Sequence, residues 1–317
     1  MKNLAGGFAK ACRSMGLWAC GAVFAAALAG LALLPRSQAA GETELLYGEG
    51  LLWKLERAGE PANYLFGTMH IADPRILDLP EAVRAAFDAS RLAVFEVIID
   101  PQGQAEIAKK MILTDGRTLD QLLSPELYRQ VLETATTYGM PETMVRLLKP
   151  WALIPIFSFP PEQYARVASG EAPLDDWLQK QARAQGIEVQ ALETLEEQLS
   201  LFDDAPEADQ VDMLELTVKD RAKTLTQFDE LIAAYLAQDA SAIYDQMTDV
   251  ADSEEARLSE TFEQDFVVAR NLRMAERLAD KIDGGGVFVA VGALHLPGED
   301  GLVHLMEQSG YNISRVY

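Results

Sequence analysis

Asn63-Tyr64-Leu65-Phe66-Gly67-Thr68-Met69-His70-Ile71 is echoed at the far end of the chain. There the sequence runs Val287-Phe288-Val289-Ala290-Val291-Gly292-Ala293-Leu294-His295-Leu296. Each copy is a short apolar run typical of a β-strand, and each ends in a glycine, two further residues and a histidine. The chain has only three histidines. Since histidine binds metals and transfers protons near neutral pH, this pair of GxxH motifs predicts a functional site.

Four polar residues lie at or just beyond the ends of predicted strands: His70, Glu96, Glu193 and His295. Ligands of open α/β sheets bind beyond the carboxyl ends of the strands, so these four side chains can converge. Two imidazoles and one or two carboxylates suit a divalent metal with an open position for water. Glu96 interrupts an apolar run over 92–99, where a buried carboxylate needs a partner.

The other candidates have plainer alternatives. Glu193 is followed closely by Glu196 and Glu197, so an exposed helix start explains it equally well. Arg270 lies on a predicted amphipathic helix, where it would either steady an oxyanion or substrate carboxylate or serve as a surface or ion-pair residue. His304, in the last short helix, has no glycine before it, and we interpret it as structural.

The first 39 residues predict a signal peptide. Basic residues precede an apolar run over 17–34, and the small residues around Ala39 suit a signal peptidase. We predict cleavage after Ala39, which leaves a mature chain over 40–317 in the periplasm or outside the cell. The apolar run is longer than a usual signal-peptide core, so an uncleaved inner-membrane anchor is the alternative.

Composition excludes several classes of function. Both cysteines, Cys12 and Cys20, lie in the leader, so the mature chain has no thiol nucleophile and no thiolate metal site. The leader holds four of the 27 basic residues and none of the 49 acidic ones, so its removal takes the net charge from −22 to about −26. This charge argues against nucleic acid and anionic membrane surfaces as partners. Motifs of serine hydrolases and nucleotide-binding proteins are missing from the sequence.

Predicted strands lie mainly at the two ends of the mature chain, with helices between them. The strands are expected at 51–56, 64–68, 92–99, 186–192, 287–292 and 312–317. This arrangement predicts an α/β (α+β) fold with a single sheet built from both ends of the chain, covered by helices, and a long helical middle region. We predict one domain over 40–317.

These residues resemble the TraB/PrgY/GumN family, a group that includes the Tiki proteases. The similarity runs from about Leu51 to Tyr317 and is most specific at Leu65–His70, Phe95-Glu96 and Lys149-Pro150-Trp151. Further matches are Leu174-Asp175, Leu192-Glu193-Thr194, Arg270-Asn271, 291–302 and 310–313. The exported form with a single domain is similar to the bacterial GumN-like branch.

The resemblance implies that the two GxxH motifs and one glutamate form an active centre. In the Tiki branch this centre is a divalent-metal-dependent protease site, associated with manganese or cobalt. On this sequence the corresponding residues are His70, Glu96 and His295, and zinc is a further candidate metal. Glu193 and Arg270 fall on recurrent family positions, and the resemblance assigns them no clear role.

The sequence therefore predicts a periplasmic metal-dependent hydrolase, in the first place a peptidase, with a peptide or small molecule as substrate. His70 and His295 would hold the metal, and Glu96 would be a ligand or the general base that activates water. Two alternatives stay open. One is a non-catalytic protein that sequesters a peptide or other ligand, and the other is a metal-independent hydrolase with a histidine base, as in the related erythromycin-esterase-like fold.

Overall fold

The computed structural model describes residues 45–219, 221–248 and 263–317. The predicted leader, with both cysteines, lies outside these ranges. Among the described residues, no helix is both long enough and apolar enough to cross a membrane. The architecture is mixed α/β with one six-stranded sheet, which confirms the predicted fold class.

Six strands form the sheet: β1 (Leu52–Glu56), β2 (Asn63–Thr68), β3 (Leu92–Phe95), β4 (Glu188–Ala191), β5 (Val287–Gly292) and β6 (Asn312–Arg315). Their order across the sheet is β4-β3-β5-β2-β1-β6. The four neighbours β4, β3, β5 and β2 run parallel, whereas β1 is antiparallel to β2 and β6. As predicted, most strands come from the two ends of the predicted mature chain.

Fifteen α-helices are described in the ranges given above: α1 (Pro74–Leu77), α2 (Glu81–Asp88), α3 (Pro101–Lys110), α4 (Leu119–Leu122), α5 (Pro125–Thr137), α6 (Glu142–Val145), α7 (Ile154–Ser158), α8 (Pro161–Ala168), α9 (Leu174–Gln185), α10 (Leu195–Asp203), α11 (Glu207–Lys219), α12 (Arg221–Leu236), α13 (Ala240–Thr248), α14 (Ala269–Ile282) and α15 (Leu302–Gln308). Short 3₁₀ turns cover Pro150–Ala152 and Ala293–His295, and a π-helical turn covers Glu263–Val268.

The described residues fall into two compact units. One consists of Ile99–Ala172 and Leu195–Phe228 and is built from helices. In it, Trp151 stacks on Phe202 and donates a hydrogen bond of 2.9 Å to Asp203. The other unit contains the whole sheet and every candidate site residue. The single domain over 40–317 stays a prediction.

Strand β5 lies at the centre of the sheet and is buried along its whole length. Its residues pair with β2 on one side, as Tyr64 with Phe288, and with β3 on the other, as Phe95 with Ala290. The ring of Phe288 also contacts Phe87 of α2 at 5.3 Å. Parallel pairing on both sides brings the carboxyl ends of β2, β3 and β5 to one edge of the sheet.

The third strand is shorter than predicted. We expected a strand over 92–99, but β3 ends at Phe95 and the following apolar residues are only half-buried. The backbone leaves the sheet where Glu96 turns its carboxylate toward the N–H of Gly292, 2.5 Å away. The carbonyl of Val97 is then bound by a side chain, Gln179 of α9, at 3.1 Å. The regular strand therefore ends inside an apolar run, just before the residue whose side chain contacts β5.

Candidate functional site

The four residues predicted at strand ends follow four neighbouring strands. Glu193 follows β4, Glu96 follows β3, His295 follows β5 and His70 follows β2. Oε1 of Glu96 lies 3.9 Å from Nε2 of His70 and 3.7 Å from Nε2 of His295. The structure therefore brings both histidines and Glu96 to one point at the carboxyl edge of the sheet.

Asn271 fixes the tautomer of His295. The side-chain amide of Asn271 donates to the carbonyl of Asp300 at 2.8 Å, so its oxygen is free to accept. That oxygen lies 2.6 Å from Nδ1 of His295, which therefore carries the proton. Burial lowers the pKa of His295 to about 4, against the opposing charge of Glu96. The imidazole is neutral at pH 7, and its Nε2 lone pair points toward Glu96.

His70 is held by a carboxylate instead of an amide. Its Nδ1 lies 2.6 Å from Oδ2 of Asp175 on α9, and Thr68 donates to the other oxygen of Asp175 at 2.7 Å. Burial by itself lowers the pKa of His70, but the nearby charge of Asp175, together with the charge of Glu96, raises it to about 9. His70 is 17% exposed and His295 is fully buried, so access to the site is from the His70 side.

Arg270 and Glu193 form a buried ion pair behind Glu96. The guanidinium donates to Glu193 through Nε at 3.0 Å and Nη2 at 2.6 Å, and to Oε2 of Glu96 through Nη2. Each residue is only 4% exposed, so a surface position for Arg270 and an exposed helix start at Glu193 are both wrong. Arg270 therefore lies directly behind Glu96 and binds its Oε2.

The two oxygens of Glu96 have different surroundings. Oε2 is bound by Arg270, whereas Oε1 accepts from the Gly292 N–H and faces the two imidazoles. Burial raises the pKa of Glu96, but the charge of Arg270, the two nearby imidazoles and the Gly292 N–H together outweigh burial, and the pKa lies well below its ordinary value. A carboxylate that resists protonation is a weak general base. This geometry favours Glu96 as a ligand that offers one oxygen.

The glycines of the two GxxH motifs leave space for different groups. Gly67 pairs with Val291 and Gly292 with Thr68, so the two glycines are offset by one position. A Cβ atom at Gly67 would lie 2.6 Å from a methyl of Leu296. A Cβ atom at Gly292 would lie 3.2 Å from Glu96 Oε1 and 3.4 Å from Nε2 of His70. Gly67 thus permits backbone packing, and Gly292 keeps open the space between the proposed donors.

We expect Gly292→Ala to fold and to lose most metal binding. The backbone at Gly292, with φ −54° and ψ 141°, suits any residue, so the added methyl costs little in folding yet occupies the space between the donor atoms. Calorimetry with a divalent metal and thermal unfolding check this expectation. Gly67→Ala is the matched control, since its methyl meets Leu296 and should lower stability first. Normal metal affinity in Gly292→Ala would contradict the proposed position of the metal.

Residues outside the predicted set complete the site. Asp175 and Asn271 contact Nδ1 of the two imidazoles, and neither residue was predicted to belong to the site. His304 takes no part in this cluster, because its ring contacts Glu307 at 3.3 Å and Gln308 at 2.8 Å on α15. The family matches at Leu174-Asp175 and Arg270-Asn271 were the one available signal for Asp175 and Asn271, and it carried no role for either residue.

The donor atoms of His70, His295 and Glu96 are of the kinds that bind a divalent cation, but their positions do not form a complete ligand cluster. Nε2 of His295 is buried and has no hydrogen-bond partner among the described residues, and the Gly292 space opens beside it. Two imidazoles and a carboxylate are common ligands of zinc and similar metals. Within 45–219, 221–248 and 263–317, however, no three such side chains form a ready metal cluster. One oxygen of Glu96 is already bound by Arg270.

The charges of the cluster also suit a cation. Glu96 and Glu193 face one buried guanidinium, that of Arg270, whereas Asp175 faces His70. With both imidazoles neutral, three carboxylates are therefore set against one buried positive charge. Arg273, whose side chain is 38% exposed, approaches Glu193 at 3.4 Å and offsets part of the excess negative charge. Buried charges need compensation, so a divalent cation, or a proton on His70, would stabilise this arrangement.

Comparison with known proteins gives relatives that are named metalloproteases. Metalloprotease TIKI2 of Danio rerio is 24% identical over 314 residues, which cover 83% of this chain and 60% of that protein. The metalloprotease TIKI homolog of Amphimedon queenslandica is 23% identical over 316 residues, covering 84% and 61%. Metalloprotease TIKI1 of Danio rerio is 33% identical over 106 residues, covering 33% and 20%.

The chain spans about three-fifths of the length of the relatives that it matches over most of its own length. No solved structure matches it significantly. The model of the TraB/PrgY/gumN family matches residues 51–315, which include both GxxH motifs and Glu96. The chain therefore belongs to the TraB/PrgY/gumN family.

Proposed function

We propose that this protein is a divalent-metal-dependent hydrolase that cleaves peptides. The observation that carries the proposal is the orientation of both histidines, since Asp175 and Asn271 hold Nδ1 of each ring and aim Nε2 at Oε1 of Glu96. Partners of this kind orient metal ligands in proteins. The names of the metalloprotease relatives support dependence on a metal and a peptide substrate.

His70, His295 and Glu96 would hold the cation, which would supply a Lewis acid for the scissile carbonyl and for water. Manganese or cobalt is the first choice and zinc the second. Arg270 keeps Oε2 of Glu96 occupied, so that Glu96 offers one oxygen and stays ionised. Substrate enters from the side of His70, the partly exposed imidazole.

A metal-free hydrolase with His70 as base is the second candidate. The contact of 2.6 Å between His70 and Asp175 favours it, because a carboxylate behind an imidazole is the arrangement of many histidine bases. The raised pKa of His70, about 9, weighs against it, since the ring is then protonated and cannot accept a proton near pH 7. Sequestration of a peptide without cleavage is the third outcome.

One experiment separates these functions. Protein purified without a nickel column is stripped with a chelator, incubated with a peptide library and analysed by mass spectrometry, before and after addition of Mn²⁺, Co²⁺ or Zn²⁺. We expect cleavage only after a metal is restored, and none with His295→Ala. Equal cleavage in the chelator would establish the metal-free mechanism. Peptide binding without any cleavage would establish sequestration.

We also propose that the protein is exported by the leader over 1–39. The tripartite pattern of that segment supports export, and the protein should begin at Ala40 in the periplasm. N-terminal sequencing of the protein from its own cells checks this expectation. An intact leader would instead establish a form tethered to the inner membrane.

A further inference from the structure

Residues 45–50 precede the region matched by the family, yet their backbone is bound at several points. The carbonyl of Leu46 accepts from the N–H of Gly298 at 2.7 Å, and the carbonyl of Gly48 accepts from the N–H of Ser241 at 2.7 Å. The N–H of Gly50 donates to the carbonyl of Gln238 at 2.8 Å. This segment, 45–50, is therefore an ordered part of the sheet-containing unit.

The bond at Gly298 connects the segment to His295. Gly298 lies in the loop over 297–301, which also contains Asp300. The Asp300 carbonyl accepts the amide of Asn271 at 2.8 Å, and the Asn271 oxygen binds Nδ1 of His295 at 2.6 Å. A route of hydrogen bonds and one short loop therefore runs from Leu46 to the imidazole.

The bond at Ser241 gives a second route to the same place. Ser241 lies in the first turn of α13, and α13 packs against the turn Ala293–His295. Gly48 sits tightly against this helix, because a Cβ atom on it would lie 1.9 Å from the Ser241 hydroxyl and 2.9 Å from the carbonyl of Leu45. Only glycine lets the segment approach α13 this closely.

We propose that the segment 45–50 is a brace that positions His295, so that residues outside the family match form part of the support of the site. His70 has separate support from Asp175 and Thr68. Release of the brace should therefore loosen one imidazole and leave the other in place. This inference goes beyond the proposed function and rests on it only for the role of His295 as a metal ligand.

The test is proton exchange in the metal-free, folded protein labelled with ¹⁵N-histidine. Gly48→Val should push the segment off α13 and speed exchange of the Nδ1 proton of His295 by about tenfold or more, as local opening does. The Nδ1 proton of His70 is the internal reference and should not change. Glu49→Gln is the matched control in the same segment, because it removes only an exposed ion pair with Arg315.

Loss of protection at the N–H groups of Gly298 and Ser241, with the His295 proton unchanged, would overturn the brace. If Gly48→Val does not fold, hydrogen exchange of the wild-type protein tests the brace instead. In mild denaturant, the amide protons of Gly298 and Ser241 and the Nδ1 proton of His295 should open together, with one denaturant dependence. Independent opening would overturn the inference. Because no metal is present, either result leaves the proposed hydrolase to be tested separately.

Discussion

His70→Ala and His295→Ala are each expected to remove most of the affinity of the protein for a divalent metal, and the double variant should lose little more. Nε2 of each ring faces the same oxygen of Glu96, at 3.9 and 3.7 Å, so the three groups act as one donor set. Loss of a ligand should exceed the roughly 10–100-fold loss typical of outer-shell partners. Calorimetry on the two singles and the double measures the effect.

His304→Ala is the control for these variants, because its ring contacts Glu307 and Gln308 on α15. Its metal affinity should equal that of the wild type. Groups that act as a unit give strongly non-additive losses. Independent, additive losses from His70 and His295, or a loss from His304 of the same size, would contradict a shared metal.

Glu96→Gln is expected to fold, to bind metal at least about 100-fold more weakly and to lose turnover. Loss of an outer-shell partner typically costs about 10–100-fold in metal affinity, and loss of a direct ligand should cost more. Glutamine keeps the shape of the side chain but removes its negative charge. Arg270 keeps Glu193 as its partner, so the stability should fall by only about 1–3 kcal/mol. Metal titration and chemical unfolding measure the two effects separately.

Glu193→Gln provides the matched comparison. It removes a carboxylate from the same guanidinium, but Glu193 is not one of the proposed ligands. We expect a similar loss of stability and a much smaller loss of metal affinity than in Glu96→Gln. Equal metal affinities of the two variants would show that Glu96 acts through the charge of the cluster and is not a ligand.

The repeated motif predicted the sheet edge because it encodes two strands with the same ending. Glu96 could be identified from the sequence, because a carboxylate inside a buried apolar run is costly unless it has a partner. The end of β3 at Phe95 was not predictable, because the run remains apolar to Ile99 and the strand ends where Glu96 contacts Gly292 of the neighbouring strand. The local hydrophobic pattern predicts a strand, but it carries no information on contacts between residues that are far apart in the sequence.

The groups that orient the histidines were hidden for a related reason. Asp175 lies in the first turn of α9, where an acidic residue is favourable for any helix. Asn271 lies on the strongly amphipathic α14 and does not differ in pattern from a surface residue. The position of Arg270 on the same helix is equally typical of a surface residue. Only the fold shows that these residues of α14 face the carboxyl edge of the sheet.

Metal binding by the stripped protein, followed by calorimetry across pH, tests the central claim most directly. The account predicts one divalent ion per chain. Asp175 and Glu96 raise the pKa of His70 to about 9 in the free protein, so the metal must displace that proton. Affinity should therefore weaken steadily as the pH falls below 9, with release of about one proton near pH 7.5. Absence of binding, or binding that survives unchanged in the double variant of His70 and His295, would contradict the account.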